Sequence, residues 1–91
     1  MHDGQATISP DILARYAGDA AREVPGVHDL SGRRAVKVDG TSIELHLVVE
    51  WGASIPEVGA AVRGRVREYL ARMARVEPAS VDVVVDEVAS P

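Results

Sequence analysis

The residues best suited to chemistry alternate along one stretch, Glu44, His46 and Glu50, with Asp82 and Asp86 alternating along another. An imidazole among carboxylates is the donor set that zinc or manganese takes. The spacing is not diagnostic of a metal site, and alternating polar residues equally make the solvated face of a sheet. His2 falls in a terminal tail and His28 in a loop, where both read as ordinary surface groups. Carboxylate neighbours are unavoidable with 14 acidic residues in so short a chain, so no acid–base pair stands out. The serines sit at caps, turns and strand starts, with no nucleophile-elbow pattern. No catalytic, cofactor-binding or metal-binding residue is assigned, and no enzymatic activity is expected.

The elements that position these side chains are legible. Ser9-Pro10-Asp11 starts a helix: serine can cap, proline fits the first helical position and aspartate suits the positive end of the dipole. That helix runs from Pro10 to about Glu23 with an apolar stripe of Ile12, Leu13, Tyr16, Ala17, Ala20 and Val24, and Val24-Pro25-Gly26 stops it. Val27–Leu30 begins an extended segment, Ser31–Arg34 is a loop or bulge, and Ala35–Val38 is a strand. Asp39-Gly40 is a hairpin signal of the type I′ kind. Thr41–Glu50 alternates, Ile43, Leu45, Leu47 and Val49 on the core face and Glu44, His46, Val48 and Glu50 on the other.

A second helix runs from Ser54 or Ile55 to about Arg75, along a stripe of Ile55, Val58, Val62, Val66, Tyr69, Leu70 and Met73. Either Ser54 or Ile55 is its cap: Ser54 and Glu57 have capping-box spacing, while Pro56 biases Ile55 away from helical angles. Gly59 and Gly64 lie inside this helix. Gly59 flanks the stripe, where it would allow close packing, but simple tolerance of both glycines is the favoured reading. Ser80–Val88 is the last strand, with Val81, Val83 and Val85 on one face and Asp82, Val84 and Asp86 on the other.

The expected fold is α+β, in the order α-β-β-α-β, a three-stranded mixed sheet with two helices packed on one face. A single domain spans residues 8–88, with 1–7 and 89–91 as flexible tails. The other sheet face stays open. Val48 and Val84 interrupt its polar surface and Trp51 follows at the strand end, so Glu44, His46, Val48, Glu50, Trp51, Asp82, Val84 and Asp86 form the candidate protein-interaction surface.

Composition narrows the function. The formal charge is −4 and aromatic residues are only 3%, which argues against phosphate neutralisation and base stacking. The element order is similar to that of type II KH domains, which bind RNA, and the helix-two arginines could serve such a role, but no GXXG loop is present. An RNA-binding module of KH-like topology is the alternative reading. The chain has no cysteine, no run of apolar residues long enough to span a membrane and no signal-peptide pattern, so a cytoplasmic location is expected.

Three segments carry a family resemblance: ISPDILARYAGDAAREVPGV, IELHLVVEWGASIPEVGAAVRGRVREYL and SVDVVVDEV. Ile8–Leu13 with Ala20–Val27, Leu45–Glu50 and Ile55–Val58 match motifs of the alkaline shock protein (general stress) family of Gram-positive bacteria, over about residues 8–88. Trp51 stands where that family more often has tyrosine, and the charged tails of many relatives have no counterpart after the last strand. The resemblance implies a non-enzymatic envelope stress response protein without catalytic residues. It further implies self-association into a homo-oligomer, docking to a membrane-anchored partner, or both, with any membrane association made through that partner.

Overall fold

The computed structural model describes residues 8–91. The expected tail 1–7, with His2, lies outside them. Helix α1 spans Pro10–Arg22; the hydroxyl of its cap, Ser9, accepts the Ile12 amide at 3.2 Å, so one otherwise unpaired amide of the first turn is satisfied. Strands β1 (Val27–Leu30), β2 (Val36–Asp39) and β3 (Ser42–Val49) follow, then α2 (Ile55–Met73) and β4 (Ser80–Val88).

The sheet has four strands in three lateral positions. β3 is central: its C-terminal half pairs antiparallel with β1 (Val27 opposite Val49, Leu30 opposite Leu47) and its N-terminal half with β2 (Val36 opposite Leu45, Asp39 opposite Ser42). β1 and β2 therefore lie end to end along one edge of β3. The expected three strands become four because Ser31–Arg34 breaks that edge, yet the ladder continues across the break: the Ser31 amide donates to the His46 carbonyl and the His46 amide to the Ala35 carbonyl. β4 runs parallel to β3 on its other edge, joined by the α2 crossover. The mixed sheet and its α+β class are as the sequence predicts.

One turn differs from expectation, and one open alternative is decided. The hairpin loop is Gly40-Thr41, with Asp39 still paired to Ser42. Gly40 has φ +63° and Asp39 has no positive φ, so one positive angle suffices, at the first central position. The cap of α2 is Ser54, whose hydroxyl accepts the Glu57 amide at 3.4 Å, and Pro56 fits within the first turn. The helix closes at Met73, short of Arg75, whose φ of +55° ends the regular path.

Both helices cover one sheet face. Ile43, Leu45, Leu47 and Val49 are buried beneath Leu13, Ala17, Ala20 and Ala21 of α1 and Val58, Val62, Val66 and Leu70 of α2. Tyr16 and Tyr69 meet edge to face at 5.8 Å between the helices, a favoured aromatic geometry. Ile12, Ile55 and Met73, all near helix ends, leave the predicted stripes and are exposed. Gly26, at φ +96°, turns the chain from α1 into β1. A Cβ there would lie 2.6 Å from Val58 Cγ2, so only glycine lets this turn sit against α2.

Candidate functional site

The alternation of β3 sends Glu44, His46 and Val48 to the face away from the helices, where all three are half-buried. The parallel register sets Asp82 beside Glu44 and Val84 beside His46. A bulge after Leu47 then inserts an extra β4 residue, so Glu87 rather than Asp86 stands beside Val48. On the other edge, Lys37 is opposite Glu44, Asp39 opposite Ser42 and Asp29 opposite Val48. Six of the eight predicted residues thus share this surface. Glu50 lies at its end, 3.3 Å from His28 Nδ1, and Trp51 stands in the following turn with 66% of its surface exposed. His28 belongs to β1 rather than to a loop.

His46 is the centre of the face. Its Nε2 lies 2.5 Å from Glu44 Oε2 and its Nδ1 3.1 Å from Asp86 Oδ2. Ionised carboxylates only accept hydrogen bonds, so satisfying both requires a proton on each ring nitrogen. The Glu44 carboxylate, and then that of Asp86, hold the imidazolium and raise its pKa above the usual histidine value, against the opposing effect of partial burial. Reciprocally, His46 holds the Asp86 carboxyl below its usual range, with help from the Ser31 hydroxyl. Asp29 is likewise lowered, first by the Leu30 amide it accepts at 2.8 Å and then by Arg22.

This arrangement clamps β3 to β4. A metal at His46 would have to displace a proton and break one of the two carboxylate contacts. Among the described residues, no group of three or more histidine and carboxylate side chains is placed to hold a metal ion. Beside the ring, Ser31, Arg34, Lys37, His46 and Asp86 border a shallow depression of about 280 Å³.

Lys37, Arg34, Asp29, Asp39 and Glu87 are absent from the predicted set. Asp29, Lys37 and Asp39 could be found only once β1 and β2 were placed on the same edge of β3. Glu87 requires the bulge, for which the sequence carries no glycine or other signal.

An α+β domain with two helices on one face of a mixed sheet, and an acidic face left uncovered among the described residues, defines the class. The chain belongs to the alkaline shock protein 23 family, which has a cell envelope-related function; the family pattern matches residues 33–90. It is similar to the uncharacterised protein YqhY of Bacillus subtilis (strain 168), with 34% identity over 79% of this chain and 67% of YqhY. Among solved structures it resembles a tryptophan-to-alanine variant of MamM CTD, with TM-score 0.65 and 19% identity over 89% of this chain and 83% of that one. The copper form of MamM CTD matches with TM-score 0.58 and 22% identity over 85% and 84%. At such identities the likeness is one of fold. No helix among the described residues is long and apolar enough to cross a membrane.

Proposed function

We propose that this chain is a non-enzymatic interaction module at the cytoplasmic side of the cell envelope, acting through the open sheet face by self-association or by docking to an envelope-associated partner. One observation carries the reading: no described element covers this face, although it holds half-buried Val48, exposed Val84 and, at its end, exposed Trp51. Exposed apolar side chains within a charged rim are the anatomy of a contact surface. A large rigid aromatic such as Trp51 is the residue type that most often anchors one. The envelope-related function of the family supports the setting.

The RNA-binding alternative has less support. α2 is one uninterrupted helix, Arg65 is engaged by Glu23 at 2.8 Å, and Arg67 donates to the Pro78 carbonyl at 3.0 Å.

The test is Val48→Lys with Val84→Lys in the full chain. Light scattering after size exclusion reads assembly across a wide concentration range, and fractionation of cells reads envelope association. The reading expects unchanged folding with loss of assembly, of envelope association, or of both. A folded double variant that keeps both removes this face as the contact surface.

A further inference from the structure

Resting on that docking reading, we infer that the occupant of the open face is a cationic segment of a different protein, not a second copy of this chain. The observation is how charge divides between the two sides of the sheet. Asp29, Lys37, Asp39 and Glu44 from β1–β3 meet Asp82, Asp86 and Glu87 of β4 on this face, with Glu50 at its end and Arg34 at its rim. That is seven carboxylates against two cations, but Asp29 is paired with Arg22 of α1 at 3.4 Å, so the face carries a net −4 with neutral histidines, the charge of the whole chain. Everything else in the sequence, seven arginines against seven acidic groups, sums to zero.

Two arrangements of identical copies follow, and both are poor. A two-fold contact of open face on open face sets −4 against −4, and like charges brought together at an interface are strongly unfavourable. A head-to-tail contact sets −4 against a back whose charges balance overall, with Arg65 already engaged by Glu23. Counting His46 as the imidazolium that Glu44 and Asp86 hold brings the face only to −3. Summed over the rest of the sequence, this chain does not supply the missing positive charge. A partner segment that presents lysine or arginine together with apolar side chains on one side fits in both respects. Its cations meet the rim carboxylates, and its apolar side chains cover Val48, Val84 and Trp51. In an extended segment only every second side chain faces the sheet, so the cations and the apolar groups must alternate among those positions.

The experiment is a nitrogen–proton correlation NMR titration of the full chain with a short synthetic peptide in which lysine and valine alternate at every second position, with serine between. Matched glutamine–valine and glutamate–valine peptides run in parallel. The lysine peptide should shift the amides around Glu44, His46, Val48 and Val84, weakening with added salt, while the other two shift them little. Asp39→Asn, Asp82→Asn and Glu87→Gln together leave the His46 clamp intact and should weaken binding about threefold to a hundredfold, the worth of three exposed ion pairs. Glu57→Gln, Glu68→Gln and Glu77→Gln make the same change in net charge away from this face and should leave affinity within about twofold.

Equal loss in the two triple variants would overturn the inference, since net charge and not this face would then be responsible. So would failure of the lysine peptide to bind, or a dimer in which two open faces meet. If lysine and glutamine peptides shift the face equally, the docking reading stands and only its cationic specificity falls. If none shifts it, the specificity again falls, and cell fractionation of the Val48→Lys, Val84→Lys variant decides the docking reading on its own.

Discussion

Replacing Gly26 by alanine tests the packing of the turn that launches the sheet. Two separable costs are present. The backbone at φ +96° places an L side chain in the left-handed half of conformational space, which costs about 1–2 kcal/mol. The new Cβ would also lie 2.6 Å from Val58 Cγ2, and Val58 is buried at 5% exposure, so it cannot swing into solvent. Forcing an additional carbon into such a contact costs about 1–3 kcal/mol. The combined loss is about 2–5 kcal/mol, a large share of the stability of so small a domain. Gly52→Ala is the internal control: Gly52 has φ +85° but open space around its Cβ position, so it should incur only the conformational cost. Urea denaturation of the wild type and both variants gives the comparison, with equal slopes required for a valid difference. Gly26→Ala should be the worse variant by about 1–3 kcal/mol, the steric part alone. Equal losses would refute the claim that Gly26 is needed for close approach to α2, and no loss in either would refute the conformational argument too.

The remaining predictions concern the clamp and the helices. Because His46 has a raised folded-state pKa, its contribution to stability is fully present below its ordinary value of 6.5 and is lost as pH rises through the folded value. Asp86 is lowered, so the same contact is lost at the acid end as pH falls below its ordinary 3.8 and through its folded value. Imidazole NMR titration should therefore give His46 a pKa above 6.5, and thermal melts should show the alkaline loss flattened in His46→Gln; a His46 pKa at or below 6.5 would dismiss the clamp. Gly64→Ala should stabilise by about 0.5–1 kcal/mol, because a Cβ there meets nothing within 4 Å and alanine is the better helix former; an unchanged melting temperature would count against it. Leu70→Ala, at a fully buried position, should cost about 2–5 kcal/mol in denaturant unfolding, and a loss under about 1 kcal/mol would mean that the core there collapses around the cavity.

How much was legible follows from which signals are local. Period-two alternation over Ile43–Val49 and helical spacing over Val58–Leu70 each repeat several times, so both core faces could be read directly. Ser9 and Ser54 as caps have the same local character, although Pro56 left the second one open until the geometry showed the Glu57 amide on Ser54. Single glycines were harder. Asp39-Gly40 looked like the pair in the turn, but Gly40 takes the first central position and moves the loop by one residue. Gly59 read as a candidate for close packing; a Cβ there would only touch the end of Arg63 at 3.7 Å, so the tolerance reading holds, and the glycine that packing does require is Gly26.

The charge of the open face illustrates the non-local remainder. Glu44, His46, Asp82, Val84 and Asp86 were visible because each lies on an alternating strand. Asp29, Asp39 and Glu87 were not, since their membership depends on where β1 and β2 dock and where β4 bulges. Those three residues turn a mixed polar surface into a strongly acidic one. They also change which partner fits on physical grounds: valines in a polar rim are compatible with a second copy, whereas seven carboxylates brought together by register oppose one. On the docking proposal, partner specificity is therefore a property of strand register more than of any motif. A one-residue slip of β4 would send Asp82 and Asp86 toward the helices and Val83 and Val85 outward, losing both the core contact and the acidic face together. The buried positions Ile43, Leu45, Leu47, Val49 and Val81 hold that register, so the same apolar residues that stabilise the fold also fix the charge pattern on its opposite side.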